Sequence, residues 1–194
     1  MKKIILASVS ERRKELLALL IGNNFEIVVS SYEEDNTLNL SPKDLVLLHS
    51  LEKGRDVAKS LTEGIVISAD TLVVFENQVL GKPKTPEKAK EMLNKINGRT
   101  VEDLTGMAVI DIENKKELQN FEIAKIKIKK MSEQEIDGYI KTGEPLDKAG
   151  AFAIQGKGAV LIEKIDGDFF NVVGLPLFKL SNLLSQLGIS IFDF

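Results

Sequence analysis

Residues 65–75, Ile-Val-Ile-Ser-Ala-Asp-Thr-Leu-Val-Val-Phe, are apolar and largely β-branched in both alternating registers. A strand with one wet face alternates apolar with polar residues, whereas a strand covered on both faces does not. This run therefore demands a sheet with layers packed on both sides, and the chain supplies helices to build them. Residues 3–7 read as a short buried strand and 11–21 as a helix behind Ser10. Residues 25–29 read as a strand. Ser41 and Pro42 open a second helix, as N-cap and first helical residue, running to about residue 61. Thr85 and Pro86 open a third, where Ala89, Met92, Leu93 and Ile96 follow helical spacing and Gly98 supplies the stop.

The middle third predicts two long strands, 104–112 and 118–128, joined around 113–116, with the broken alternation of a sheet whose one face is solvated. Ser132 and Glu135 form a capping-box pattern for a short helix reaching residue 140. A glycine-rich stretch, 143–174, carries one expected strand at 159–162, and 176–187 closes as a leucine-rich helix. No repeat, linker or low-complexity tract divides the chain. The expected fold is α/β, a mixed central sheet flanked by helices, in one domain or two closely packed lobes.

Composition narrows the chemistry. A net charge of −3 over 194 residues argues against nucleic acid or a membrane surface as the main partner. The sequence shows neither a membrane span nor a signal-peptide core, so a cytoplasmic protein is expected. Cysteine is absent, which removes thiol nucleophiles and thiolate metal sites. The lone histidine, His49, lies in a leucine-rich helical context that suits a packed side chain better than a catalyst. Hydrolytic chemistry would then rest on carboxylates, lysines, arginines and an oxygen-bound metal.

Two local rules are broken. With Ser10 as N-cap, Arg12 and Arg13 fall in the first helical turn, where cations cost roughly a few tenths of a kcal/mol. Helix amides, the Ser8 and Ser10 hydroxyls and two guanidinium groups converge there, which suits a polyphosphate; two solvated arginines are the plainer alternative. Asp70 interrupts the buried strand on the face shared by Val66, Ser68, Leu72 and Val74. A carboxylate there needs a cation, a metal or a set of amides. Lys82 follows a hairpin turn and precedes Pro83, which holds it extended. Glu33-Glu34-Asp35 is an acidic loop cluster, and Lys53 lies on a helix face; a solvated loop and a solvated helix face are the plainer readings. The 142–158 stretch is too long and mixed for a plain turn, and Gln155 in it suits a phosphate or base edge.

Leu6-Ala7-Ser8-x-Ser10-x-Arg12-Arg13-x-Glu15-Leu16-Leu17 resembles the N-terminal signature of Maf proteins, nucleoside triphosphate pyrophosphatases of the ITPase-like fold. Ala69-Asp70-Thr71, Leu80-Gly81-Lys82-Pro83, Glu144-Pro145-x-Asp147-Lys148-Ala149-Gly150-Ala151-Phe152-x-Ile154-Gln155-Gly156 and Asn171-Val172-Val173-Gly174-Leu175-Pro176 match further motifs in order. The resemblance spans the chain as one domain, 1–194, and is closest to the branch acting on dTTP and UTP. It implies cleavage to the monophosphate and pyrophosphate in a cleft between two lobes, and a homodimer. It also implies roles: Ser8, Arg12, Arg13 and Gln155 on substrate, Glu33 and Asp70 on Mg²⁺ or Mn²⁺, Lys53 and Lys82 balancing charge. One segment departs from the pattern, since Val101 stands where a histidine is usual and Asp103 where a valine is usual. A nucleotide-binding regulator of cell division or septum formation, without turnover, is the rival expectation. Asp70 discriminates them, because a pure binder gains nothing from a carboxylate beside polyphosphate unless a metal bridges the two.

Overall fold

A computed structural model describes residues 2–194. Its strands are β1 (Ile4–Leu6), β2 (Glu26–Ile27), β3 (Ile65–Phe75), β4 (Gln78–Leu80), β5 (Thr100–Asp111), β6 (Lys116–Ile128) and β7 (Ile162–Asp166). Its helices are α1 (Glu11–Ile21), α2 (Pro42–Ala58), α3 (Pro86–Ile96), α4 (Glu133–Lys141), α5 (Phe169–Val173) and α6 (Leu177–Gln186). One sheet runs in the order β2-β1-β3-β5-β6-β7, with β4 paired to β3 off that path. β1 pairs in parallel with β2 and β3, and the remaining pairs are antiparallel. The mixed α/β fold expected from the pattern is the one observed.

β3 is buried along its length except at Thr71. On one face Leu72 and Val74 pack with Leu45 and Val46 of α2, and Ser68 Oγ donates to the Ser50 carbonyl at 2.6 Å. On the other face Ile65, Ile67 and Ala69 pack against Leu17 of α1 and Leu180 of α6. Further along that face, Val73 and Phe75 join a separate core with Leu93 of α3 and Ile136 of α4. Two apolar cores therefore share that one face of the strand.

The edge of β3 away from β5 is discontinuous. β1 covers Ile65–Ile67 and β4 covers Val73–Phe75, while among the described residues no strand lies beside 68–72 on that edge. β1 stops because the chain turns through Ser8–Ser10 into α1, where Ser10 Oγ caps the helix at the Arg13 amide. The cleft opens in this gap.

Several boundaries differ from expectation. The 25–29 strand shrinks to β2, extended by one bond from the Val28 amide to the Leu6 carbonyl. The second helix stops at Ala58, and both middle strands are longer than expected. Lys157–Leu161 forms a 3₁₀ turn and pairing begins only at Ile162. Gly158 explains that tightness, since a Cβ there would meet the Ala153 carbonyl oxygen at 2.6 Å. The capping box of Ser132 and Glu135 forms as read. No helix among the described residues is long and apolar enough to cross a membrane.

Candidate active site

A cavity of about 930 Å³ occupies the gap beside β3. The start of α1 contributes Ser8, Arg12 and Arg13; α2 contributes Lys53; β3 contributes Asp70; and Lys82 and Gln155 enter from loops. Glu33 does not join them. It is exposed and outside the lining, whereas Tyr32 and Glu34 both line the cavity. Residues two apart share a side in an extended segment, so with Tyr32 facing inward the carboxylate delivered is Glu34. The acidic cluster was legible in the sequence, but its phase was not.

Asp70 lies at the centre and is 3% exposed. Its Oδ1 accepts from Lys53 Nζ at 2.7 Å, and the same ammonium pairs with Glu34. Close helix–sheet packing makes this possible. Gly106 of β5 sits opposite Asp70, and a Cβ on it would lie 2.3 Å from the Val46 carbonyl oxygen of α2. Gly54, next to Lys53, likewise rests on Ser68. Burial opposes the ionised form of Glu34, but the Lys53 charge and hydrogen bond outweigh it and hold that carboxyl below its ordinary range. Asp70 Oδ2 is buried with no hydrogen-bond partner among the described residues. Leaving such an oxygen unmet costs about 1–3 kcal/mol, and of the three unmet buried atoms, with His49 Nε2 and Asn171 Oδ1, it alone belongs to a residue lining the cavity, where a ligand can reach it.

Arg13 is not a free surface cation. Its Nε donates to the Gly174 carbonyl at 2.9 Å and its Nη2 to Thr71 Oγ1 at 3.0 Å. Thr71 and Thr105 hydroxyls lie 2.8 Å apart, and Thr105 donates to the Asn171 carbonyl at 3.1 Å. The bonds run in one direction, from guanidinium through two hydroxyls to a carbonyl. Desolvation lowers the Arg13 pKa, and the Asp70 charge offsets part of that. Asp103, the residue departing from the family pattern, lines the cavity and is 4% exposed. Burial pushes its carboxyl well above the usual range, against the pull of Arg12 and Arg13.

Across the cleft, Glu144 organises the loop that presents Gln155. Its carboxylate accepts from the Lys157 and Gly158 amides at 2.8 and 2.7 Å and from Tyr139 Oη at 2.9 Å. His49 is fully buried, with Nδ1 2.9 Å from Tyr32 Oη, so it braces a cavity side chain from behind. Thr71 was quoted in the Ala69-Asp70-Thr71 motif without a role, and Tyr32 was not singled out: a threonine in a strand and a tyrosine in a loop gain a role only when the fold brings them beside Arg13 and His49.

Among the described residues no three His, Asp or Glu side chains are grouped to enclose a metal. The donor set is two carboxylates, Asp70 with an unmet buried oxygen and Glu34. That fits a Mg²⁺-like ion, which takes most of its ligands from water and substrate phosphates, and does not fit a closed protein cage.

Residues 3–187 match the family described as Maf-like protein. A relative from Methanosarcina mazei named dTTP/UTP pyrophosphatase is 55% identical over 193 residues, covering 100% of this chain and 98% of that protein. One of the same name from Bacillus cereus is 46% identical, covering 98% of each. Among solved structures, a HAM1 protein from Coxiella burnetii aligns over 96% of this chain and 100% of its own, with a TM-score of 0.58 at 16% identity, which is a likeness of fold. The chain belongs to the Maf-like protein family.

Proposed function

We propose that this chain hydrolyses nucleoside triphosphates, dTTP and UTP above all together with modified pyrimidine counterparts, to the monophosphate and pyrophosphate. The observation that carries the reading is the unmet Asp70 Oδ2 in a cavity also lined by Arg12, Arg13, Lys53 and Lys82. A cationic wall holds a triphosphate, and an unpaired buried carboxylate oxygen gives a water molecule somewhere to leave its proton. The names of the Methanosarcina and Bacillus relatives supply the substrate class.

In this scheme Ser8, Arg12, Arg13 and the first amides of α1 take the phosphates by charge-assisted hydrogen bonds. Asp70 Oδ2 accepts a proton from water as its oxygen bonds to the α-phosphorus. The bond from that phosphorus to the α–β bridging oxygen breaks, and pyrophosphate leaves with the electron pair. Lys53 fixes Asp70 through Oδ1, and Lys82 offsets charge building on the leaving group. A divalent cation, Mg²⁺ or Mn²⁺, held by Asp70 and Glu34, would neutralise phosphate charge. Gln155 faces the substrate from the clamped loop. A cytoplasmic setting and a homodimer belong to the same proposal, the latter checked by light scattering.

The test is product analysis on UTP, dTTP, CTP and 5-substituted pyrimidine triphosphates, with Mg²⁺, Mn²⁺ or chelator. Pyrophosphate is the expected product, and orthophosphate with the diphosphate would place cleavage at the wrong bond. Nucleotide binding with no turnover would favour a regulator instead. Glu34→Gln should lower metal-dependent turnover about tenfold or more, while Glu33→Gln leaves it near wild type; the reverse ranking would restore Glu33 as the working carboxylate.

A further inference from the structure

The Asp103 carboxyl is buried, and the hydrogen bond it is given is a long one, from Asn171 Nδ2 to Oδ1 at 3.3 Å. Its cross-strand neighbours are Val73 on β3 and Ala124 on β6, so nothing beside it on the sheet satisfies it. Among the described residues Asn171 is the side chain that hydrogen-bonds it, and its short bond, 2.9 Å from Nδ2, goes to the Asp103 backbone carbonyl that any residue would offer. The contact to Oδ1 is longer, 3.3 Å. Arg13 spends its Nε and Nη2 on Gly174 and Thr71, and no ion pair of Asp103 is formed among the described residues. The carboxyl nevertheless lines the cavity, within reach of the Arg12 and Arg13 charges and beside Val73, which packs in one core with Phe152 and Val172. Burying a carboxyl on one long hydrogen bond is costly, and apolar walls with a few placed polar groups are how sites read a flat, partly polar ligand.

We propose that Asp103 is a specificity-determining residue, its carboxyl accepting a hydrogen bond from the ring N–H of the nucleotide base, N3–H in uracil and thymine. This rests on the nucleotide reading above and deepens it. The apolar wall takes the ring faces, and the carboxyl oxygen meets the one ring atom that differs in hydrogen-bond sense between uracil and cytosine. In cytosine N3 is an acceptor, which places two lone pairs against each other once the carboxyl is ionised, so the comparison is made on the alkaline side of neutrality. Guanine offers the same ring N–H, so the informative comparison is between UTP and N3-methyl-UTP, which lacks that hydrogen.

The experiment measures kcat/KM for both nucleotides in wild type, Asp103→Val and Asp103→Asn. Binding of the non-hydrolysable α,β-methylene forms of both nucleotides is measured by calorimetry alongside. Wild type should prefer UTP by roughly ten- to a hundredfold, the range expected for one buried hydrogen bond. Asp103→Val, close to aspartate in volume, opens no room for the methyl group, so loss of the hydrogen bond should reduce the preference to within about threefold by lowering UTP. Asp103→Asn keeps an acceptor oxygen and should retain most of the preference. An unchanged preference in Asp103→Val, or an equal fall for both nucleotides, would overturn the proposal; the equal fall would make Asp103 a positioning residue for the arginines. If wild type turns over neither nucleotide, the pyrophosphatase reading fails, and the ratio of calorimetric affinities still decides the role of Asp103.

Discussion

Two aspartates in one cavity have opposite relations to their surroundings. Asp70 is held on Oδ1 by Lys53 and left unmet on Oδ2, so Asp70→Asn preserves the shape and the Lys53 acceptor while removing the charge. Turnover should fall by about 10²–10⁴, the usual worth of a positioned base, with only a small change in melting temperature, since the amide oxygen still accepts from Lys53 and Glu34 still pairs with it. A falling melting temperature with normal turnover per folded molecule would show that Asp70 is only a structural carboxylate. Asp103 has its carboxyl pKa raised by burial, with the nearby arginines opposing, so the folded chain binds that proton more tightly than the unfolded chain does. The stability this proton confers is complete below the ordinary aspartate range and is lost as pH rises through the raised value. Asp103→Asn, neutral throughout, should match wild type in urea midpoint at pH 4 and gain on it by pH 7. A gap that narrows toward neutrality would contradict the assignment. Asp70 stood out in the sequence as a charge in an apolar strand. Asp103 was visible only as a departure from a motif, because burial within the cavity is a property of the packed sheet.

Among the elements, α1 changes most between sequence and structure. Read alone, its two arginines are misplaced at the positive end of the helix, and replacing Arg13 should cost little stability. In the fold Arg13 ties α1 to the α5–α6 turn through Gly174 and to β3 through Thr71. Arg13→Lys keeps a cation but cannot span both acceptors, so it should lose about 1–2 kcal/mol of unfolding free energy as well as activity. Chemical denaturation checks the first and kcat/KM the second; full stability would return Arg13 to the role of a purely ligand-facing cation. The helix starts themselves needed no tertiary help, because Ser10, Ser41, Thr85 and Ser132 each accept from an amide of their own first turn. The 157–161 turn did need it, since a run of Ala-Val-Leu-Ile reads as a strand until Gly158 is pressed against Ala153.

At the scale of the molecule, the site exists because α2 lies close enough to β3 and β5 to lay Lys53 on Asp70. Gly106 sets that distance, and Gly106→Ala would drive a methyl group into the Val46 backbone carbonyl, which cannot step aside as a side chain could. The substitution should cost about 3 kcal/mol or more and reduce turnover even in the folded fraction, by lifting Lys53 away from Asp70. Denaturation midpoints with turnover per folded molecule check this, and a stable, fully active variant would mean that α2 is free to shift. What the sequence by itself determined was local: a β3 buried on both faces, the capped helices, the carboxylate in the strand, the cation pair at a helix start. Each follows from periodicity or from a broken rule, which short windows carry. Only the tertiary structure decided that Glu34 and not Glu33 meets Lys53, that Arg13 is anchored, and that Asp103 faces the cavity. Those outcomes depend on the phase of an extended segment against a helix far away in the chain, and on an edge gap in β3 made by two strands that stop short. Neither has a signature in any single stretch of residues.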